Sequence, residues 1–241
     1  GPSVLRKTNE PGTRFSAGAP GYSAGLDGTV TYVKALNDDS SFRELGLRWA
    51  ILGAFEATSL SSAQKVFDRV LTVGGSPYHA PGLNIDTDGK LKLLWTDSDE
   101  GDCSIESANQ VVVDTPYFFV ARRLDDDLEL YVGEADSAMT LWASGDGLGD
   151  DDYPEDEGSH GFVVGANGTN ATPDSEHFVG TIDGITVLEQ YIEETGLAYL
   201  EWPQPRLDTC LLHLPFDAAA GTEFNDLSAN GHTISHHPNV S

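Results

Sequence analysis

The stretch Leu47-Arg48-Trp49-Ala50-Ile51-Leu52-Gly53-Ala54-Phe55 is apolar on both of its alternating faces, with Leu47, Trp49 and Ile51 on one side. It is far shorter than the roughly 18 apolar residues of a membrane span. Such a run marks a strand buried above and below, so the chain must lay a second layer over its sheet. Strand-like alternation recurs nearly throughout. Thr29–Leu36 alternates, and further strands are read at Lys65–Val73, Leu83–Asp86, Lys90–Trp95, Ala108–Val113, Tyr117–Arg122, Leu128–Val132, Ala138–Trp142, Phe162–Val164, Phe178–Leu188 and Cys210–Phe216. Asp88-Gly89 predicts a hairpin, because Asp and Gly tolerate the positive φ of a type I′ turn. One helix is predicted, the short segment Ile192–Leu200. Many short strands with one small helix predict an all-β fold, a two-sheet antiparallel jelly-roll sandwich.

Charge limits what such a sandwich can meet. The 241 residues carry 39 acids against 13 Lys and Arg, a formal charge of −26. Nucleic acid and anionic membranes are met by Lys and Arg, so both are excluded as partners. The acids are spread over nearly every loop, Asp outnumbers Glu and Lys is scarce. A dispersed acidic surface keeps a protein soluble in salt that screens its self-repulsion, which predicts a high-salt or marine source. Divalent-cation binding is the competing reading, since hard cations take carboxylate oxygens. An ordinary solvated surface accounts for isolated acids such as Glu10 or Asp68.

The chain divides into an arm at 1–14, a sandwich at 15–200, a linker at 201–208 containing Pro203 and Pro205, and a segment at 209–241. Gly1-Pro2-Ser3 reads as the scar of a protease cleavage, so the lack of a leader says little about compartment. Residues 144–160 are dense in Asp, Glu and Gly, and 165–176 form a second polar excursion. Loops of that length on a sandwich rim are usually functional or mobile. Cys103 and Cys210 admit either one disulfide or two separate thiols, with Cys210 opening an apolar run.

The order of these pieces carries a resemblance. Tyr117-Phe118-Phe119-Val120-Ala121, Leu128-Glu129-Leu130-Tyr131-Val132-Gly133, Phe162-Val163-Val164-Gly165 and Phe178-Val179-Gly180-Thr181-Ile182-Asp183-Gly184-Ile185-Thr186-Val187 follow one another before a short helix. Over roughly residues 29–200 this resembles the laminin-G-like and pentraxin-like domains of the concanavalin A-like lectin/glucanase superfamily, two-sheet jelly rolls. Leu212-His213-Leu214-Pro215-Phe216-Asp217, then Gly221-Thr222 and Asn225-Asp226-Leu227-Ser228-Ala229-Asn230-Gly231-His232, resembles the opening of the same domain type, displaced to the C-terminus. It reads as a strand completing the sheet in cis, a strand given to a neighbouring subunit, or the start of a tandem repeat. Completion in cis is favoured, because a lone apolar strand is an aggregation hazard.

Glucanases of the superfamily place carboxylates in the pattern E-x-D-x-x-E. Here Glu134-Ala135-Asp136-Ser137-Ala138-Met139 has Met139 in place of the second Glu, which breaks the pair that hydrolysis needs. Asp125, Asp127 and Glu129 also alternate, but enter a hairpin. The chain is therefore read as non-catalytic. The resemblance implies a structural Ca²⁺ held by Asp183 and Asp217 with backbone carbonyls; the competing role for Asp183 is to bond nearby amides. The pentraxin-type calcium loop maps to 165–170, where Asn167, Gly168 and Thr169 replace its ligands. Asp146, Asp150, Asp152 and Asp156 lack EF-hand spacing, and His232, His236 and His237 read as a surface tail. Asn167, Asn170 and Asn239 open glycosylation sequons. A sugar's apolar face packs on an aromatic ring, and Trp142 and Tyr153 are the platforms singled out, with Trp95 next. Trp49 reads as core and Trp202 as packing under the linker.

These readings predict a non-catalytic module, extracellular or on a cell or virion surface, that binds a glycan or surface ligand. An attachment module of a virion fibre or surface assembly, self-associating or in tandem with a neighbouring domain, is the alternative. A polysaccharide-active enzyme is the third.

Overall fold

The doubly apolar run becomes β3 (Arg48–Ala57), held between β12 (Val179–Leu188) and β8 (Pro116–Leu124) in the computed structural model. Trp49, Ile51, Phe55 and Ala57 alternate with Ala50, Leu52 and Ala54, and none of them is more than 1% exposed. The structure describes residues 24–28, 32–35, 45, 48–73, 76–97, 101–134, 137–145, 161–168, 175–188, 210–214, 228 and 234–236.

Two antiparallel seven-stranded sheets form the sandwich. The first runs β1 (Ala24–Asp27), β12, β3, β8, β9 (Asp127–Glu134) and β10 (Thr140–Gly145), with β13 (Cys210–Leu214) also paired to β12. The second runs β14 (Ile234–His236), β2 (Val33–Ala35), β11 (Phe162–Val164), β4 (Gln64–Val73), β5 (Ser76–Ile85), β6 (Lys90–Asp97) and β7 (Gly101–Gln110). Between them an aromatic series crosses the core: Phe162 on Phe67 at 5.5 Å between ring centroids, Phe67 on Phe119 at 5.9 Å, Phe119 on Phe55 at 6.1 Å and Phe55 on Tyr117 at 5.7 Å. Trp49 stacks on Trp95 at 5.6 Å. Aromatic pairs at these distances add about 0.5–1.5 kcal/mol each beyond their buried area.

The predicted all-β sandwich is the fold observed, and its departures from expectation have local causes. β5 begins at Ser76 instead of Leu83, because Pro77 and Pro81 read as breakers. Pro81 falls where the ladder's register shifts between Asp68 and Val70, and Pro77, paired with Thr72, lies where β6 no longer pairs with β5, since a proline cannot donate to a central ladder. β7 ends at Gln110, and Val112 and Val113, expected in the strand, stand 58% and 39% exposed in the turn after it. The Asp88-Gly89 hairpin forms with only Gly89 at positive φ (80°), so it is not the expected type I′ turn. Asp86 closes it, its carboxylate accepting from the Asp88 and Lys90 amides at 2.9 and 2.8 Å. The C-terminal segment adds β13 to the first sheet and β14 to the second within this chain. Cys103 and Cys210 are not bridged and lie on different sheets. No helix occurs among the described residues, and Ile192–Leu200 lies outside them. No described helix is long and apolar enough to cross a membrane.

The Phe178–Val187 motif now has a physical reading. Phe178, Ile182, Ile185 and Val187 enter the core, and a bulge between Asp183 and Thr186 keeps the last two in phase. At Gly180 a Cβ would sit 2.0 Å from the Glu56 carbonyl oxygen, and φ is 145°. Gly180→Ala must therefore part β12 from β3. We expect a loss of about 3 kcal/mol in urea unfolding, at the upper end for a strained backbone position, whereas an unchanged midpoint would show that the strands tolerate the methyl group.

Candidate functional site

In β2, Val33 and Ala35 enter the core and Lys34 takes the opposite face. In β6, Leu91, Leu93 and Trp95 do the same, leaving Lys90 and Lys92 outside. Register then lines up distant residues on the outer face of the second sheet, because cross-strand partners share a face. Lys65 pairs with Asn84, Asn84 with Lys92 and Lys92 with Glu106, one polar row across β4, β5, β6 and β7. The adjacent row contains Lys34, Val163, Asp68, Gly82, Leu94 and Ser104.

Asp68 is the anchor. It is fully buried on this outer face and accepts the Gly168 amide at 2.8 Å and His79 Nδ1 at 2.8 Å, with Lys65 Nζ at 3.8 Å. Lys65, 1% exposed, also lies 3.8 Å from Glu176, whose carboxylate accepts from Asn167 Nδ2 at 2.8 Å. Gly168 and Glu176, both after β11, thus close on the Asp68–Lys65 pair. Glu176 holds φ at 51°, a left-handed conformation that a non-glycine residue keeps only when its surroundings demand it. Gly82 leaves room for the carboxylate, since a Cβ there would lie 2.6 Å from Asp68 Oδ1. His79 and Glu176 are 22% and 33% exposed, so the network opens to solvent at these two side chains. Asn84 Oδ1, in the middle of the polar row, is buried without a hydrogen-bond partner, an uncommon state for a native polar atom. Burial lowers the Lys34 pKa, and the hydrogen bond from Lys90 to Glu106 at 2.5 Å raises that of Lys90.

The opposite outer face differs in kind. On the first sheet Ala50, Leu52, Val120, Tyr131, Met139, Leu188 and Cys210 form a buried apolar cluster. Arg122 lies over Tyr131, 4.5 Å from the ring centre, and binds Glu129 at 2.6 Å. Of the two outer faces, the second sheet's carries the anchored polar network.

The residues expected to bind a ligand are scattered. Trp95, expected as a sugar platform, is a core residue instead: it is 1% exposed, with Trp49 on one side and Arg123 4.8 Å from its ring. Its alternation with Leu91 and Leu93 already carried that signal. Trp142 is half-buried on β10 and meets Tyr117 edge-on at 5.7 Å, and Tyr153 lies outside the described residues. Asp183 is fully buried in β12 and Asp217 lies outside the described residues, among which no three metal-ligating side chains gather. Asp68, expected to be solvated, is buried by a loop 100 residues later in sequence.

The half-motif does not lie along one strand. Glu134 ends β9, Ser137 N returns to its carbonyl at 3.0 Å, Met139 is buried, and Asp136 lies outside the described residues. Asp125 sits in the β8–β9 turn at φ 51°, bonded by Arg48 at 3.2 Å. Glu56 and Asp114 form another acidic pair: burial first, then the charge of Asp114, raises the Glu56 carboxyl above its usual range.

No family model and no curated protein matches the sequence. Among solved structures, the SAP-like pentraxin of Limulus polyphemus is 8% identical, with a TM-score of 0.52 over 94% of this chain and 96% of its own. The fold is a concanavalin A-like jelly roll. The CBM40 of the Ruminococcus gnavus IT-sialidase, described with α2,3 sialyllactose bound, has the same jelly roll at 14% identity and a TM-score of 0.59, over 73% of this chain and 95% of its own. The LG1-3 region of the laminin α2 chain shares it at 14% identity and a TM-score of 0.53, with 71% of this chain matched to 32% of that one.

The polar row escaped the sequence because Lys65, Asn84, Lys92 and Glu106 are adjacent only through register. The scarcity of lysine was itself a usable signal. Each described lysine stands beside core-facing residues in a strand, and none is in a loop.

Proposed function

We propose that this jelly roll is a non-catalytic glycan-binding module whose ligand lies on the outer face of the second sheet, across Lys65, Asn84, Lys92, Glu106 and the rim at His79. The observation that carries it is the row of donors and acceptors braced from the adjacent row by the fully buried Asp68. Sugar hydroxyls are recognised by a few polar groups held rigidly in place, and here the sheet supplies the rigidity. The acids of this face are already engaged, Asp68 by three partners, Glu106 by Lys90, and Glu176 by Lys65 and Asn167. Retaining hydrolysis needs two carboxylates poised as acid and nucleophile, and these described acids are instead engaged in the network. The similar Ruminococcus gnavus module, described with sialyllactose, supports the same reading. An extracellular or surface setting goes with it.

Glycan-array screening followed by calorimetry tests this. His79→Ala and Asn84→Ala should each weaken binding about tenfold, roughly 1.4 kcal/mol; Asn84→Ala should leave the melting temperature nearly unchanged, whereas His79→Ala should also lower it by taking a partner from the buried Asp68. Full affinity in both variants overturns this placement. Loss with Trp142→Ala alone would move the site to the β10 rim, where Leu141 is 46% exposed beside it. Release of reducing sugars by the unmodified protein would overturn the non-catalytic reading.

A further inference from the structure

We propose that Lys65 and Asn167 join covalently in the folded protein, their side chains forming an amide bond with release of ammonia. This modification is separate from glycan binding and does not depend on it. The bond needs an amine, a carboxamide and a carboxylate that touches both. Glu176 supplies the carboxylate: its Oε2 accepts from Asn167 Nδ2 at 2.8 Å and lies 3.8 Å from Lys65 Nζ.

The backbone holds each group in place. Lys65 N donates to the Glu176 carbonyl at 2.9 Å, Asn167 N to the Ser175 carbonyl at 3.1 Å and Gly168 N to the buried Asp68 at 2.8 Å. Amine and carboxamide, far apart in sequence, are thus kept together, which raises their effective concentration as any bound pair of reactants is raised. The Lys65 side chain itself is less tied. Its Nζ stands 3.8 Å from both Asp68 and Glu176, beyond hydrogen-bond distance of either. Nζ also lies 3.7 Å from where a Gly82 Cβ would stand, so it leans toward Asp68 and away from Asn84, its register partner and the rival carboxamide. Lys65 is 1% exposed and Asp68 fully buried, which keeps water from the amine.

The step balances within the chain. Nζ attacks Asn167 Cγ, the Nζ–Cγ bond forms and the Cγ–Nδ2 bond breaks. The Lys65 ammonium gives up two protons to become an amide N–H, and both depart with Nδ2 as an ammonium ion. Glu176 Oε2 relays them, since it faces the attacking and the leaving nitrogen alike. Nothing is oxidised or reduced, and no co-reactant is consumed. Glu176 is 33% exposed, which gives the released ammonium ion a way out. The Lys65–Asp68 ion pair is the state that precedes the bond. Afterwards a neutral amide stands in place of a buried charge, which removes its desolvation cost, and the new N–H remains as a donor.

Intact mass spectrometry of the full chain, held folded at neutral pH until its mass no longer changes, tests the proposal. The mass should fall by that of one ammonia, and digestion should yield the peptide of Lys65 joined to that of Asn167. Lys65→Arg keeps a cation that does not give up its proton, and should retain the full mass. Glu176→Gln should slow the loss at least about a hundredfold, with a cooperative melt confirming the fold of both variants. Asp68→Ala, which frees Gly168, should not form the bond. An unchanged mass in the unmodified protein overturns the proposal. So does an ammonia loss confined to a linear peptide with Lys65 free, the mark of a succinimide at Asn167-Gly168, and so does a cross-link that runs to Asn84. Bond formation at the original rate in Glu176→Gln overturns the role given to that carboxylate.

Discussion

Asp68→Ala should lower stability by about 3–5 kcal/mol, the cost of leaving one partner of a buried ion pair alone. The substitution strands three groups at once. Lys65 is 1% exposed and keeps only the partly exposed Glu176 at 3.8 Å; the Gly168 amide and His79 Nδ1 each lose a partner at 2.8 Å. For a domain of this size the melting temperature should fall by roughly 10 °C. Lys65→Met combined with Asp68→Leu should be less damaging than Asp68→Ala, because an apolar pair needs no counter-charge. Equal losses in the two proteins would mean that the pair is not coupled. Glycan binding should vanish with Asp68→Ala even at low temperature, since the loop bearing Asn167 and Glu176 loses its tether.

Deleting residues 207–241 should abolish the cooperative transition altogether. The deletion takes away β13, whose Leu211, Leu212 and Leu214 lie in the core, and β14, against whose Ile234 the core also packs. Three buried leucines at about 1.5–3 kcal/mol each come to roughly 6 kcal/mol, comparable to the whole stability of many domains. It also bares β12 at Ile185–Leu188 and β2 at Val33–Ala35, edges that other chains can pair with. Size-exclusion chromatography should show concentration-dependent association and circular dichroism a broad melt. A truncated monomer that melts sharply at the original temperature would show that neither strand matters to the sandwich.

Much of the architecture was legible, and the reasons are specific. β8 and β9 alternate core residues with others along their length, so their place in a sandwich follows from period alone, and β12 does so on either side of its bulge. β5 hid behind Pro77 and Pro81, whose missing donors are tolerated because the ladder shifts register beside Pro81 and β6 does not pair with the stretch that holds Pro77. The candidate site was largely illegible for a different reason. Alternation puts Lys92 outside and Trp95 inside, and this much could be read. It does not tell which residue of β5 faces Lys92, nor that a loop closing on Gly168 would bury Asp68. Register and loop return are long-range facts, set by packing between segments distant in sequence.

Two strands distant in sequence share one neighbour: β1 covers β12 at Val179–Ile182, and β13 covers the same strand at Ile185–Leu188. This arrangement fixes when folding can finish. Ala24 waits for Ile182 and Ile185 waits for Leu214, so the first sheet closes through contacts between segments distant in sequence. Such non-local pairing places β sandwiches among the slower folders, in about milliseconds to seconds. During that interval the rim of β12 is open, and the yield of native protein depends on how quickly the last strand arrives relative to encounters with other chains.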